Sequence, residues 1–128
     1  MTAYILDAFA WIEYLIGSER GEKVKKLIEN EDNDVFTSLV TLAEVVSVTE
    51  REKRDSEAIY YRMLMLSKFT GLSPEFSQEA GLLHAKTKKK MRNFSLADAF
   101  VLTAAKKLGA RIVTGDSHFK RFHKVVLI

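Results

Sequence analysis

Ser95-Leu-Ala-Asp98-Ala-Phe-Val-Leu-Thr-Ala-Ala105-Lys-Lys-Leu-Gly109, followed by Arg111-Ile-Val-Thr114-Gly-Asp116, is the stretch whose reading decides the fold. Leu96 to Leu108 has the composition of a helix, and Gly109 stands where a C-cap glycine belongs. Arg111-Ile112-Val113-Thr114 is short and rich in β-branched residues, which suits a buried strand. A helix followed at once by a buried strand sets an alternation that the remaining sequence repeats.

Working outward, Tyr4-Ile5-Leu6 reads as a buried strand ending at Asp7. Ala10, Trp11, Tyr14 and Leu15 have helical spacing, with Gly17 as a stop. Val24, Leu27 and Ile28 mark a second helix, and Asp34-Val35-Phe36-Thr37 a second strand. Leu42, Val45, Val46 and Thr49 continue as a helix, and Ala58 to Phe69 as another. A third strand is expected at Gly71-Leu72-Ser73, closed by Pro74, and a long helix from Phe76 to Met91. After Asp116 come a short helix and a last strand, Lys124 to Leu127. Strands alternating with helices predict an α/β fold with a parallel sheet covered on both faces.

The 128 residues suit one domain spanning 1–128. No cysteine is present, which excludes disulfides and thiolate metal sites. No apolar run approaches the ~20 residues of a membrane helix. The opening Met1-Thr-Ala-Tyr-Ile-Leu-Asp7 lacks the basic region and long apolar core of a signal peptide, so a cytoplasmic protein is expected. Net charge is only +3, and its distribution says more. Lys86, Lys88, Lys89, Lys90 and Arg92 crowd one segment, and Lys120, Arg121 and Lys124 another. Such clusters attract phosphates, although a solvated helix face with cations near its C-terminus explains the first as well.

Ligands of doubly wound sheets bind beyond the carboxyl ends of the strands. Asp7 closes the first strand, Glu44 lies at the start of the helix after the second, and Asp116 follows the Ile112–Thr114 strand. Asp98 begins a helix antiparallel to the strand it precedes, so its N-terminus lies on the same edge. Each acid also has a plain structural reading. Thr41-Leu-Ala-Glu44 and Ser95-Leu-Ala-Asp98 both fit capping boxes, and Asp7 and Asp116 fit N-caps. Gathered together, however, carboxylates repel one another and take up protons unless a cation intervenes. Hard oxygen ligands without a Cys or His cluster favour Mg²⁺ or Mn²⁺ over Zn²⁺. Asp98 interrupts an apolar run beside small alanines, which lets it face a pocket.

At these residues the chain resembles the PIN-domain ribonucleases, in particular the VapC-like toxins of prokaryotic toxin–antitoxin pairs. The matching elements are Tyr4-Ile-Leu-Asp7-Ala8, Thr41-Leu-Ala-Glu44-Val45, and Ser95-Leu-Ala-Asp98 running on to Thr114-Gly-Asp116-Ser-His-Phe119. The resemblance implies a three-layer α/β/α sandwich with four or five parallel strands. It implies that Asp7, Glu44, Asp98 and Asp116 form the family's acidic quartet, with Thr114 a hydroxyl neighbour. One departure stands out: many relatives carry Ser or Asn where this chain has Phe9.

The activity so implied is hydrolysis of RNA phosphodiesters with one or two Mg²⁺ or Mn²⁺ ions, held mainly by Asp7, Asp98 and Asp116 and completed by Glu44. Lys88, Lys89 and Arg92 would hold the RNA backbone. A homodimer and a small antitoxin over the acidic groove are further implications. The stretch Ala58-Ile-Tyr-Tyr-Arg-Met-Leu-Met-Leu66 is apolar on more than one helical face, as either core or partner surface requires. His84, His118 and His123 are not needed for this chemistry; His118, two residues after Asp116, reads as a surface histidine rather than a substrate contact, and Trp11, Phe94 and Phe119 read as core. Rival readings are an RNA-processing nuclease without an antitoxin and a catalytically silent domain that binds RNA or protein. A nucleotide-binding module is disfavoured, because no Gly-rich loop follows the first strand.

Overall fold

The computed structural model describes residues 1–71 and 73–128. Five strands form one sheet: β1 (Thr2–Leu6), β2 (Asn33–Ser38), β3 (Lys68–Thr70), β4 (Arg111–Thr114) and β5 (Val125–Leu127). All four ladders are parallel, in the order β3-β2-β1-β4-β5. From β1 the chain winds outward to β2 and β3 on one side, and β4 and β5 fill the other. The switch in strand order therefore falls between β1 and β4, and the crevice of such a sheet opens at their carboxyl ends.

Six helices cover the sheet: α1 (Ala8–Ile16), α2 (Glu19–Glu29), α3 (Leu39–Arg51), α4 (Ser56–Leu66), α5 (Pro74–Lys88) and α6 (Leu96–Leu108). Alternation along the strands divides the core. Tyr4, Leu6, Val35 and Val113 point to one face, where they pack with Trp11, Val24, Val45 and Met63 from α1 to α4. Ile5 and Ile112 point to the other, against Phe76, Ala80, Ala99, Leu102 and Ala105 of α5 and α6. This is the three-layer α/β/α sandwich with a five-stranded parallel sheet. Trp11 is fully buried, and its indole N–H donates to Thr37 Oγ1 at 3.0 Å, which satisfies the ring's one polar atom. Phe94 and Phe119 are core residues, as expected.

Four boundaries differ from the sequence reading. The helix expected to run to Phe69 ends at Leu66, and the third strand lies at Lys68–Thr70 rather than at Gly71–Ser73. There it pairs with the open edge of β2, Phe36 to Lys68 and Ser38 to Thr70, so tertiary pairing overrides the local helical pattern. Gly71 follows in a left-handed conformation (φ 97°) unsuited to a strand, and Leu72 lies outside the described residues. The α5 helix stops at Lys88, three residues before Met91, where the N–H groups of Lys90 and Met91 turn back to Thr87 O. Finally, α3 begins earlier than read. Ser38 is its N-cap and accepts from Val40 N–H, so Thr41-Leu-Ala-Glu44 forms no capping box.

Candidate active site

Asp7 leaves β1 at the switch point. Its N–H still donates to Val113 O of β4 at 3.2 Å, while its carboxylate caps α1 by accepting from Ala10 N–H at 2.9 Å. The second carboxylate oxygen accepts from the Thr114 hydroxyl at the end of β4. Thr114 Oγ1 in turn accepts from Asp116 N–H at 3.0 Å. One buried hydroxyl thus ties the ends of β1 and β4 to the loop that carries Asp116.

Asp98 is the N3 residue of α6. It completes a capping box with Ser95: Ser95 N–H donates to Asp98 Oδ2 at 2.9 Å, and Asp98 N–H donates to Ser95 Oγ at 3.0 Å. Asp116 caps the 3-10 helix Ser117–Arg121 through Oδ1, which accepts from His118 N–H at 2.8 Å and faces His118 Nδ1 at 2.9 Å. Asp98 and Asp116 line one shallow cleft with Met91, Phe94, His118, Phe119 and Phe122. The capping reading of Asp7, Asp98 and Asp116 is therefore correct. It leaves Asp98 Oδ1 and Asp116 Oδ2 outside these bonds.

The charges act on one another. Burial, and to a lesser degree the charges of Asp98 and Asp116, raise Asp7 to a pKa of about 6, against the lowering pull of the Thr114 and Ala10 hydrogen bonds. Glu44 is exposed on α3, yet desolvation by its surroundings and the charges of Asp98 and Asp7 push its pKa up as well. Four carboxylates from β1, α3, α6 and the loop after β4 thus share one electrostatic neighbourhood.

The neighbourhood is more open than the sequence reading pictured. Among the described residues, no three His, Asp or Glu side chains close on one point as a finished metal cage. The physical reason is visible in the bonds: each aspartate is held at its own helix N-terminus, and nothing offsets the mutual repulsion. The donor chemistry nevertheless fits a hard divalent cation. It consists of carboxylates and a hydroxyl, without thiolates, and burial together with the neighbouring charges raises the pKa of Asp7, a penalty that a bound cation would relieve.

Of the basic residues, Lys88 is committed to its own loop, where Nζ donates to Arg92 O at 3.0 Å and Phe94 O at 3.4 Å. Lys89 and Arg92 are exposed beside it. His118 is exposed, as expected, but it pairs with Asp116, which spacing alone hinted at. His123 is half-buried, with Nε2 2.6 Å from Ala110 O.

The sequence pattern of the family described as the PIN domain matches residues 4–125. The chain belongs to the PIN-domain family. PIN domains are nucleases. Solved structures share the fold at low identity. The chain is similar to VapBC2 from Rickettsia felis, bound to a promoter DNA fragment (TM-score 0.74, 18% identity, 99% of this chain and 98% of that one). It is similar to VapBC from Salmonella typhimurium, also DNA-bound (TM-score 0.73, 17% identity, 100% and 98%). VapC20 from Mycobacterium tuberculosis, a Sarcin-Ricin loop cleaving toxin, aligns over 92% of this chain and 93% of its own (TM-score 0.72, 18% identity). No curated protein sequence matches the chain.

One rim feature escaped the sequence reading. A Cβ built on Gly115 of this PIN domain would lie 2.5 Å from Phe9 Cε1, so the Phe9 ring rests on the Thr114-Gly-Asp116 loop. Gly115 has no positive φ, so its bearing on the ring is one of space: a side chain there would displace Phe9 from its present place. Only the glycine between Thr114 and Asp116 hinted at so close an approach.

Proposed function

We propose that this PIN domain, residues 1–128 acting as one nuclease domain, is a Mg²⁺- or Mn²⁺-dependent endoribonuclease and the toxin of a VapBC-type pair. The observation that carries the reading is that Asp7 and Asp116 lie beyond the carboxyl ends of β1 and β4, with Asp98 at the N-terminus of α6 and Glu44 on α3 near enough for charge to act between them. The similar VapBC and VapC20 structures support the toxin assignment and RNA as substrate.

Asp7, Asp98 and Asp116 would hold the metal, with Glu44 at the outer edge. When bound, the ion supplies Lewis acidity, which lowers the pKa of water and offsets charge on the phosphoryl oxygens. Thr114 fixes the orientation of Asp7 by donating to one of its oxygens. The capping bonds of Ser95 and His118 fix Asp98 and Asp116 in the same way. Glu44, exposed and raised in pKa, is suited to accept a proton from the attacking water. Lys89 and Arg92 supply positive charge beyond the cleft for the RNA backbone.

The α4 helix buries Met63 but leaves Tyr61, Leu64 and Met65 exposed, the last at 85%. This surplus supports a homodimer face. The acidic rim is the surface that a small antitoxin would cover. No described helix is long and apolar enough to cross a membrane, consistent with a cytoplasmic partner and substrate.

The test is cleavage of single-stranded RNA in Mg²⁺ or Mn²⁺ by the wild type, Asp7→Asn and Asp98→Asn. The proposal expects metal-dependent cleavage by the wild type alone. Equal activity in the variants ends it.

A further inference from the structure

Phe9 is 40% exposed although it sits in the first turn of α1, two residues after Asp7. Single exposed apolar side chains are common on protein surfaces, so the significance of this one rests on what the ring touches. Three features hold it there. The ring lies against the Gly115 backbone, where a Cβ would meet Phe9 Cε1 at 2.5 Å and push the ring aside. The Arg20 guanidinium of α2 lies 5.7 Å from the ring centroid, within cation–π range. Arg20 is placed by its neighbour Gly21, where a Cβ would lie 2.2 Å from Glu13 O, so α2 docks directly on the α1 backbone. The result is a supported aromatic surface with an adjacent cation, anchored to the same loop as Thr114 and Asp116.

We propose that Phe9 and Arg20 form a base-stacking platform for single-stranded RNA, setting the nucleotide next to the scissile phosphate. The inference rests on the nuclease reading and adds how substrate is gripped. Every base has a π-face, so the ring grips a nucleotide without choosing its sequence. Arg20 adds attraction for the flanking phosphate and for the base face. The lever is binding rather than chemistry, because Phe9 has no group that can move a proton or hold a metal.

Two probes test the platform: a short single-stranded oligoribonucleotide and an abasic ribose-phosphate strand of the same length. Phe9→Trp places a fluorophore at the site, while Trp11 is fully buried and provides a constant background. The oligoribonucleotide should quench the new tryptophan, and the abasic strand should not. Phe9→Ala should raise KM and Kd on the order of tenfold with kcat nearly unchanged, and Phe9→Tyr should restore both. Arg20→Gln should weaken both strands alike. Equal quenching by the two strands, or no quenching, overturns the platform, as does equal oligoribonucleotide affinity in wild type and Phe9→Ala. The fluorescence titration requires no cleavage, so a wild type that binds and stacks RNA without cutting it would end the nuclease reading while leaving the platform standing.

Discussion

The hydroxyl of Thr114 donates to the carboxylate of Asp7, joining two residues 107 positions apart at the ends of adjacent parallel strands. The same oxygen accepts from Asp116 N–H, so one fully buried threonine organises two of the four acids. Thr114→Val keeps the shape and removes both bonds. It should cost about 1–3 kcal/mol in urea denaturation, the price of unpaired buried polar groups, and should lower metal affinity. Thr114→Ser should recover most of both.

The raised pKa of Asp7 gives the metal-free protein a signed pH dependence. Its folded value is about 6 against 3.8 for the free side chain, so the folded state binds the proton more tightly. The contribution is fully present below about pH 4, is lost as pH rises through about 6, and amounts to about 3 kcal/mol at most. Asp7→Asn should remove that slope and should make the metal-free protein more stable than wild type at neutral pH, read by denaturant titration across this range. Mn²⁺ should restore stability to the wild type above pH 6 and do nothing for the variant. A variant that shows the wild-type slope would refute this assignment.

Ser95→Ala removes the hydroxyl that accepts from Asp98 N–H and loosens the first turn of α6, while the Ser95 N–H can still donate to Asp98 Oδ2. It should lower stability by about 1 kcal/mol. Activity should fall on the order of 10-fold, the lower range for outer partners of a metal ligand, and excess Mn²⁺ should recover part of it. A pure capping role predicts the stability loss without the metal-dependent rescue.

Met65 and Tyr61 are exposed on α4, at 85% and 55%. Met65→Glu together with Tyr61→Glu should shift the mass in solution from dimer to monomer, measured by light scattering. Stability of the monomer should change by less than about 0.5 kcal/mol, because both side chains lie at the surface. A wild type that is monomeric at micromolar concentration would contradict the dimer.

The sheet, and the position of two acids just beyond its strands, were legible in the sequence because the signals were local. Gly109 stops α6 in a left-handed conformation, Ile112 and Val113 form the strand that follows, and Asp7 and Asp116 sit directly after strands. What was misplaced depended on partners. Lys68–Thr70 became a strand only because β2 offered an open edge, which no local pattern announces. The box at Thr41 failed because Ser38 caps three residues earlier, and Thr41 lies buried with its hydroxyl unpaired. The spread of the acids was invisible for a similar reason. The caps of Asp7, Asp98 and Asp116 were themselves readable, but spacing does not tell how far those bonds keep the three carboxylates apart in the folded backbone. Phe9 read as the loss of a hydroxyl, and only the fold shows the ring seated on Gly115.

Anomalous diffraction from a crystal soaked in Mn²⁺ at neutral pH tests the central claim most directly. A peak ligated by Asp7, Asp98 and Asp116, with the carboxylates drawn inward from their present positions, is the predicted result. A fully occupied crystal with no Mn²⁺ signal at this rim, or with the ion elsewhere, would contradict it.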